Sequence, residues 1–391
     1  MMKVAHLFSS FRGLGGVESV LKYHHSHDAQ WGIVSNFIIY FEAEIEPLER
    51  VHFLGFNSRT TIREARQRLA TAIAQARPEV AVYHGTWGMP FLADLDQSQR
   101  RILVLHGETP GVEDQLRVRR QWLDGILCVS DPLRDLVRRC APQLEEDRIE
   151  VLSYPIAPAG TRKRRERLAH RPLVLGFCGR LAFEQKRVDR LPPLCRLLDE
   201  SGLNYRLEFL GDGPQRGWLE SQFPDRSRFY FHGRKSGNDY WGVLGEWDVM
   251  LLTSDYEGTP IVLLEALSVG VIPLCPRINC GGDAYAKQIQ VDLLYEPDDF
   301  AHVSATLNRL PDLSEMEMQR LRARCEHAVA AHRGNNYIRT FAGFLARLRA
   351  APKASRDTFP WRPFPIDHCP FTILAKIGAV RRKALRLLRS T

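Results

Sequence analysis

The sequence predicts an α/β fold: two doubly wound, Rossmann-like domains facing each other across a cleft. Three observations carry that reading. Short apolar runs alternate with longer helical periods through the N-terminal half. The alternation breaks once, at a stretch rich in Pro and Arg, and then resumes. The glycines and charges that fit no packing pattern gather just after the short runs, where ligands bind in such sheets.

In the first half the candidate strands are residues 4–8, 33–39, 80–83, 102–105, 125–129 and 149–152. Helical periods lie between them, for example 61–76 and 131–140. Strands this short and apolar suit a parallel sheet covered on both faces. Residues 154–171, YPIAPAGTRKRRERLAHR, interrupt the pattern. Two prolines, a glycine and a basic run read as a solvated connector, or as a contact to an anionic ligand or membrane. The second series offers strands at 173–178, 206–210, 229–231, 249–252, 271–274 and 292–295, then two or three further helices from about 298 to 350. The expected organisation is a domain at 1–155, a linker at 156–171, a domain at 172–350 and a tail at 351–391.

A chain that is 44% hydrophobic and 26% charged is neither disordered nor fibrous. No apolar run approaches the roughly 18 residues of a membrane span. Lys3 and the brief run at 4–8 fall short of a signal peptide, so a cytoplasmic protein is expected. The eight cysteines are scattered without a C-x-x-C pair, and buried reduced thiols are expected ahead of zinc or a disulfide framework. Of the net charge of +8, residues 351–391 carry +7. A near-neutral body with a basic tail excludes a uniformly basic nucleic-acid binder.

Residues 251–270, LLTSDYEGTPIVLLEALSVG, read as a strand, a polar loop and a helix. Pro260 suits the first helical position and Gly270 the stop. The helix start offers unpaired amides and a positive dipole end to a phosphate or to sugar hydroxyls. Glu257 lies just before it and Glu265 inside it. A carboxylate in so apolar a stretch needs a partner, and vicinal hydroxyls are one; a capping Glu257 and a salt-bridged Glu265 are the plainer alternative. In residues 175–191, LGFCGRLAFEQKRVDRL, a strand meets Gly179-Arg180 and Lys186 follows. Two cations aimed at one point suit a leaving diphosphate, and two surface cations are the alternative. In residues 206–220, RLEFLGDGPQRGWLE, a strand runs into a turn at Gly211 and Gly213 that permits close backbone approach.

Taken in this order, the three segments resemble the C-terminal domain of retaining glycosyltransferases of family 4, which have the GT-B fold. The family shows a G-R-L…K loop, a G-D-G-P turn and an E-x7-E motif. Here these stand as Gly179-Arg180-Leu181…Lys186, Gly211 to Pro214, and Glu257-Gly258-Thr259-Pro260…Glu265. The first half is similar less tightly, through Gly15-Gly16-Val17-Glu18, His106-Gly107 and Val129-Ser130-Asp131. Two departures stand out. Many relatives carry Asn-Gly before the linker, where this chain has Ser153-Tyr154-Pro155-Ile156, and the loop at 278–282 surrounds its glycines unusually.

The resemblance implies transfer of a hexose-type sugar, with retention, from a nucleotide-diphosphate (NDP) sugar to a glycan or lipid-linked acceptor in cell-surface polysaccharide or lipopolysaccharide synthesis. Arg180, Lys186, Glu257 and His106 would be the catalytic residues. Gly15, Gly16, Gly179, Gly211, Gly213, Gly258, Thr259, Pro260 and Glu265 would bind the donor, with Glu265 on the ribose. No cofactor and no metal are expected; Asp94-Leu95-Asp96 imitates a D-x-D metal motif that belongs to the other transferase fold. The competing readings are an inactive nucleotide-sugar-binding paralogue and a nucleotide-sugar epimerase on the same architecture. Spacing around Gly13 to Gly16 argues against a dehydrogenase. In the tail, residues 371–391 place apolar and basic residues at helical spacing, either to lie on an anionic membrane surface or to pack on the protein.

Overall fold

The computed structural model describes residues 1–13, 15–85, 99–108, 112–119, 122–156, 171–332, 335–354 and 368–373. The N-terminal sheet is built from β1 (Met2–Phe8), β2 (Ile33–Ile39), β3 (Val51–Phe53), β4 (Val80–His84), β5 (Arg100–Leu105), β6 (Gly125–Cys128) and β7 (Ile149–Val151). Its order is β3-β2-β1-β4-β5-β6-β7, with every pairing parallel. Strands such as β4 are buried along their whole length. Parallel strands covered on both faces read as continuous apolar runs for this reason.

The second sheet repeats the plan. It contains β8 (Leu173–Cys178), β9 (Tyr205–Leu210), β10 (Phe229–Gly233), β11 (Val249–Leu251), β12 (Ile272–Pro276) and β13 (Leu294–Tyr295), ordered β10-β9-β8-β11-β12-β13 and parallel throughout. In both sheets the order reverses beside the first strand, between β1 and β4 and between β8 and β11. Loops leaving adjacent strands there diverge to opposite faces and open a crevice. The two crevices lie against one another.

The helices that matter below are α1 (Gly16–His27), α2 (Ile62–Ala76), α3 (Val112–Arg119), α4 (Asp131–Cys140), α5 (Leu191–Glu200), α6 (Arg216–Gln222), α7 (Gly237–Leu244), α8 (Ile261–Ser268), α9 (Gly281–Ile289), α10 (Phe300–Arg309), α11 (Glu315–Ala328) and α12 (Asn336–Ala350). Local chemistry fixes several ends. Thr61 with Glu64, and Ser314 with Glu317, form reciprocal capping boxes.

Helix α12 corrects the expected domain at 172–350. It follows the second sheet in sequence but packs on the first. The Tyr337 hydroxyl lies 2.9 Å from His24 Nε2. The Phe344 ring and Leu348 press on Gly125 of β6. Beyond α12, Arg148 donates to the Pro352 carbonyl at 2.9 Å, and the Ala354 amide to Asp124 at 3.0 Å. The chain thus returns to the first domain, and the second core is closed by α11.

The expected linker falls almost wholly at 157–170, and Asp94 to Asp96 at 86–98, outside the described residues. Of the basic tail segment only 371–373 is described. There the amides of Phe371 and Thr372 donate to the carbonyls of Thr60 and Ser58, at 3.0 and 3.2 Å, beside the start of α2. The eight cysteines are free thiols, most of them buried. No helix among the described residues is long and apolar enough to cross a membrane.

Candidate active site

The facing crevices enclose a cavity of about 860 Å³. Gly15, Gly16, His106, Gly179, Arg180, Lys186, Gly211, Glu257, Gly258, Thr259, Pro260 and Glu265 all line it. They come from the loops and helices that follow β1, β5, β8, β9 and β11, so strand order brings together residues spread over 250 positions of sequence. Gly213 is the exception and a correction. It packs against the Leu181 backbone, where an added methyl would collide, and so supports the loop after β8 from beneath. Gly211 lines the cavity with φ at +139°, and a side chain there would overlap the Gly179 carbonyl.

Lys186 is positioned by its neighbours. Thr253 Oγ1 donates to the Lys186 carbonyl at 2.6 Å, and Arg187, at φ +48°, pairs with Asp255 at 2.9 Å and with Asp189. The ammonium lies 2.6 Å from Glu257 Oε1. Glu257 also accepts from the Ser254 hydroxyl at 2.7 Å. It is therefore held as a partner of Lys186 and does not cap α8. Arg180, by contrast, is exposed at the cavity wall and makes no ion pair among the described residues.

Helix α8 begins one residue later than expected. Pro260 is its N-cap, with ψ at 117°, and its carbonyl accepts from Leu263 and Leu264. Inside α8, Glu265 accepts a short hydrogen bond from the Tyr240 hydroxyl of α7 rather than forming a salt bridge. Burial pushes its carboxyl up to about 7, against the opposing pull of Tyr240. Sequence reading missed Tyr240, and also Trp241, Arg234 and Lys235, which line the same cavity. The basic pair directly after β10 was the one available signal.

The glycine loop after β1 holds a carboxylate of its own. Ser10 donates to Glu18, whose carboxylate sits against Gly13 and Gly15. An acidic group thus stands beside the glycines expected to bind the donor. His106 faces the cavity with both ring nitrogens engaged, by His84 at 3.0 Å and by the Tyr154 hydroxyl at 2.7 Å, and burial pushes its pKa down to about 3.

The two domains touch at the cavity rim. Gly107 and Gly258 form an antiparallel bridge, and Thr259 Oγ1 donates to the Val129 carbonyl at 2.9 Å. An added methyl at Gly258 would overlap the His106 carbonyl. Gly258→Ala is therefore expected to break the bridge and destabilise the protein by about 1–3 kcal/mol, read as a lower urea midpoint.

The His6, His24 and Asp28 side chains form the one group among the described residues compact enough for a metal ion, within 4.8 Å of one another. They lie beneath the cavity and not in it.

Comparison with known proteins agrees with this architecture. Residues 160–327 match the family described as Glycosyl transferases group 1. The lipopolysaccharide 1,6-galactosyltransferase of Escherichia coli (strain K12) is 34% identical over 146 residues, 34% of this chain and 38% of that one. The chain spans about two fifths of the length of the curated relatives it matches, 38% and 41% for two of them. The lipopolysaccharide outer core galactosyltransferase WaaB, in its apo form, superposes with a TM-score of 0.67 at 19% identity, over 88% of this chain and 99% of that one. The pneumococcal O-GlcNAc transferase GtfA, solved with UDP and GlcNAc, gives 0.70 at 10% identity, over 90% and 99%. The chain has the GT-B fold of these glycosyltransferases, and its residues 160–327 are similar to the family described as Glycosyl transferases group 1.

Proposed function

We propose that the chain is a retaining glycosyltransferase that moves a hexose-type sugar from an NDP-sugar to a glycan or lipid-linked acceptor in cell-surface polysaccharide synthesis. The observation that carries this is the division of one cavity into three chemistries. Arg180, Lys186 and the start of α8 suit a diphosphate; Glu265 suits the ribose; Glu257 suits the hydroxyls of a sugar. As the glycosyl–phosphate bond breaks, negative charge grows on the diphosphate, where Arg180, Lys186 and the Thr259 amide stabilise it. Glu257 orients the sugar. The departing phosphate assists deprotonation of the acceptor, so no protein carboxylate is asked to act as nucleophile. The relatives named above act on lipopolysaccharide or bind UDP, which favours a uridine donor.

Differential scanning fluorimetry with UDP, GDP, ADP and their sugars tests the reading. One nucleotide class is expected to raise the melting temperature of the wild type, and Arg180→Ala and Glu265→Ala to lose most of that rise. No rise with any nucleotide in the wild type would overturn it.

The Glu265 carboxyl adds a pH dependence. Ribose hydroxyls donate, so the ionised form is the one that binds. With a pKa of about 7, its ionised fraction climbs from about one tenth at pH 6 to about nine tenths at pH 8. Nucleotide affinity is expected to tighten by up to about tenfold over that range, and to stay flat in Glu265→Gln; titration calorimetry reads both. The effect on folding has the opposite sign. The folded protein holds this proton more firmly than the unfolded chain, so the group's contribution to stability declines as pH rises from 4.5 to about 7.

A further inference from the structure

Tyr154 stands where the family resemblance offers no role, and it lines the cavity. Beneath it runs a file of buried imidazoles. The Tyr154 hydroxyl is 2.7 Å from His106 Nδ1. His106 Nε2 is 3.0 Å from His84 Nδ1, and His84 Nε2 is 3.0 Å from His6 Nδ1. His6 Nε2 faces Ser35 Oγ at 3.5 Å and Asp28 Oδ2 at 3.7 Å. The Ser35 hydroxyl donates a short hydrogen bond to Asp28, and His24 Nδ1 lies 2.9 Å from the other carboxylate oxygen. His24 Nε2 faces the Tyr337 hydroxyl.

Proton positions follow from this geometry. Burial alone would raise the Asp28 carboxyl, but His24 and His6 outweigh it and hold the group well below the usual carboxylate range. An ionised carboxylate can only accept. Ser35 and His24 Nδ1 therefore donate to it. With the Ser35 proton spent, its oxygen can only accept from His6, which must carry its proton on Nε2. Burial keeps the three rings of the file neutral: it is the first cause holding His6 down at about 4 and His106 at about 3, and it pushes His84 well below its ordinary value. A neutral imidazole has one N–H. His6 Nδ1 thus accepts from His84 Nε2, and His84 Nδ1 accepts from His106 Nε2. His106 Nδ1 is left bare, so Tyr154 must donate to it. The Tyr154 oxygen then has only lone pairs to offer the cavity.

We propose that Tyr154 binds the transferred sugar of the donor, its oxygen accepting from a sugar hydroxyl, with Asp28 fixing that polarity through His6, His84 and His106. This rests on the donor reading above. Tyr154 also senses the negative charge of Glu257, which after burial is the second cause raising its pKa. An acceptor oxygen within the field of a carboxylate disfavours a phosphate and suits a neutral group rich in hydroxyls. The file is static: a carboxyl held so low does not take up a proton at neutral pH, so Asp28 is a positioning residue. The metal reading of His6, His24 and Asp28 asks for bare nitrogens on both rings, whereas both carboxylate oxygens already accept hydrogen bonds.

Two measurements on the full chain decide. Nitrogen-15 spectra of the imidazoles, with His106→Gln for assignment, are expected to show His106 protonated on Nε2 and bare on Nδ1. Asp28→Asn, which offers a donor where only acceptors stood, is expected to reverse that tautomer. The wild-type spectrum decides even if this variant does not fold. A protonated His106 Nδ1, or one zinc per chain by elemental analysis, overturns the relay. Separately, calorimetry compares UDP with UDP-galactose and UDP-glucose. Tyr154→Phe is expected to weaken a UDP-sugar about five- to tenfold and leave UDP unchanged. Unchanged UDP-sugar affinity overturns the sugar contact. A wild type that binds no nucleotide at all overturns the donor reading and the sugar contact with it, while the spectrum still judges the relay.

Discussion

Lys186→Ala is expected to lower kcat by about 10²–10³-fold, the cost of removing one preorganised contact of about 3–4 kcal/mol to charge that develops in the transition state. The ammonium stands in the cavity wall with only 16% of the side chain exposed, in a loop locked by Thr253 and Arg187. Such a group costs no reorganisation when charge appears beside it. Its 2.6 Å contact to Glu257 suggests a second use, holding that carboxylate. The double variant separates the two. If Lys186 only holds Glu257, then Lys186→Ala in a Glu257→Gln background costs nothing further. A charge role of its own predicts a further loss of tenfold or more. Arg180→Ala is the contrasting case. Exposed and without an ion pair among the described residues, Arg180 contributes little to folding, so its loss is expected to cost about 10²-fold in rate with an unchanged unfolding midpoint. Steady-state kinetics with the donor found by fluorimetry, alongside urea unfolding, reads both.

The contrast between Lys186 and Arg180 also marks what the sequence could and could not reveal. Strands β2 and β8 were legible to the residue, because a parallel strand buried on both faces is mostly apolar, unbroken in β8 and interrupted in β2 only by Ser35 and Asn36. β3 was missed. It is three residues long with a histidine at its centre, pairs only with β2 at the sheet edge, and is too short to show a period. Arg180, Lys186 and Glu257 stood out because a loop at the carboxyl end of a strand has no packing need for charged residues, and Glu265 because it is an acid inside an apolar helix. Their partners were not. Tyr240 meets Glu265 from another helix, and Tyr154 gains its polarity from Asp28 through three rings. The side of the molecule on which α12 packs was equally hidden, since His24 and Tyr337 meet across 313 positions. Local periodicity reports which face of an element is buried, but not what buries it.

Asp248→Ala is expected to be the most damaging single change for folding, at about 3–5 kcal/mol. The carboxylate is fully buried at the start of β11. Arg171 reaches it through two N–H bonds of 2.7 and 2.8 Å, Arg322 of α11 through one of 3.0 Å, and the Val174 amide through another of 3.0 Å. One side chain thus ties the entry of the second domain, its first and fourth strands, and the helix that closes its core. Truncation removes the carboxylate shared by two guanidiniums, 17% and 13% exposed, that have no means of losing their protons. A domain of this size is expected to lose roughly 10 °C in melting temperature. Asp248→Asn keeps one acceptor oxygen and should cost less. The pair Arg216 and Glu220, on an exposed turn of α6, supplies the surface comparison: Glu220→Ala should cost under about 1 kcal/mol. Asp248 sits at the amino ends of the strands and the cavity at their carboxyl ends, so nucleotide affinity measured well below the new midpoint should match the wild type. A drop in affinity without a drop in stability would mean that the second sheet transmits strain along β11 to Glu257, and the view of the site as a set of loops on a rigid frame would fall.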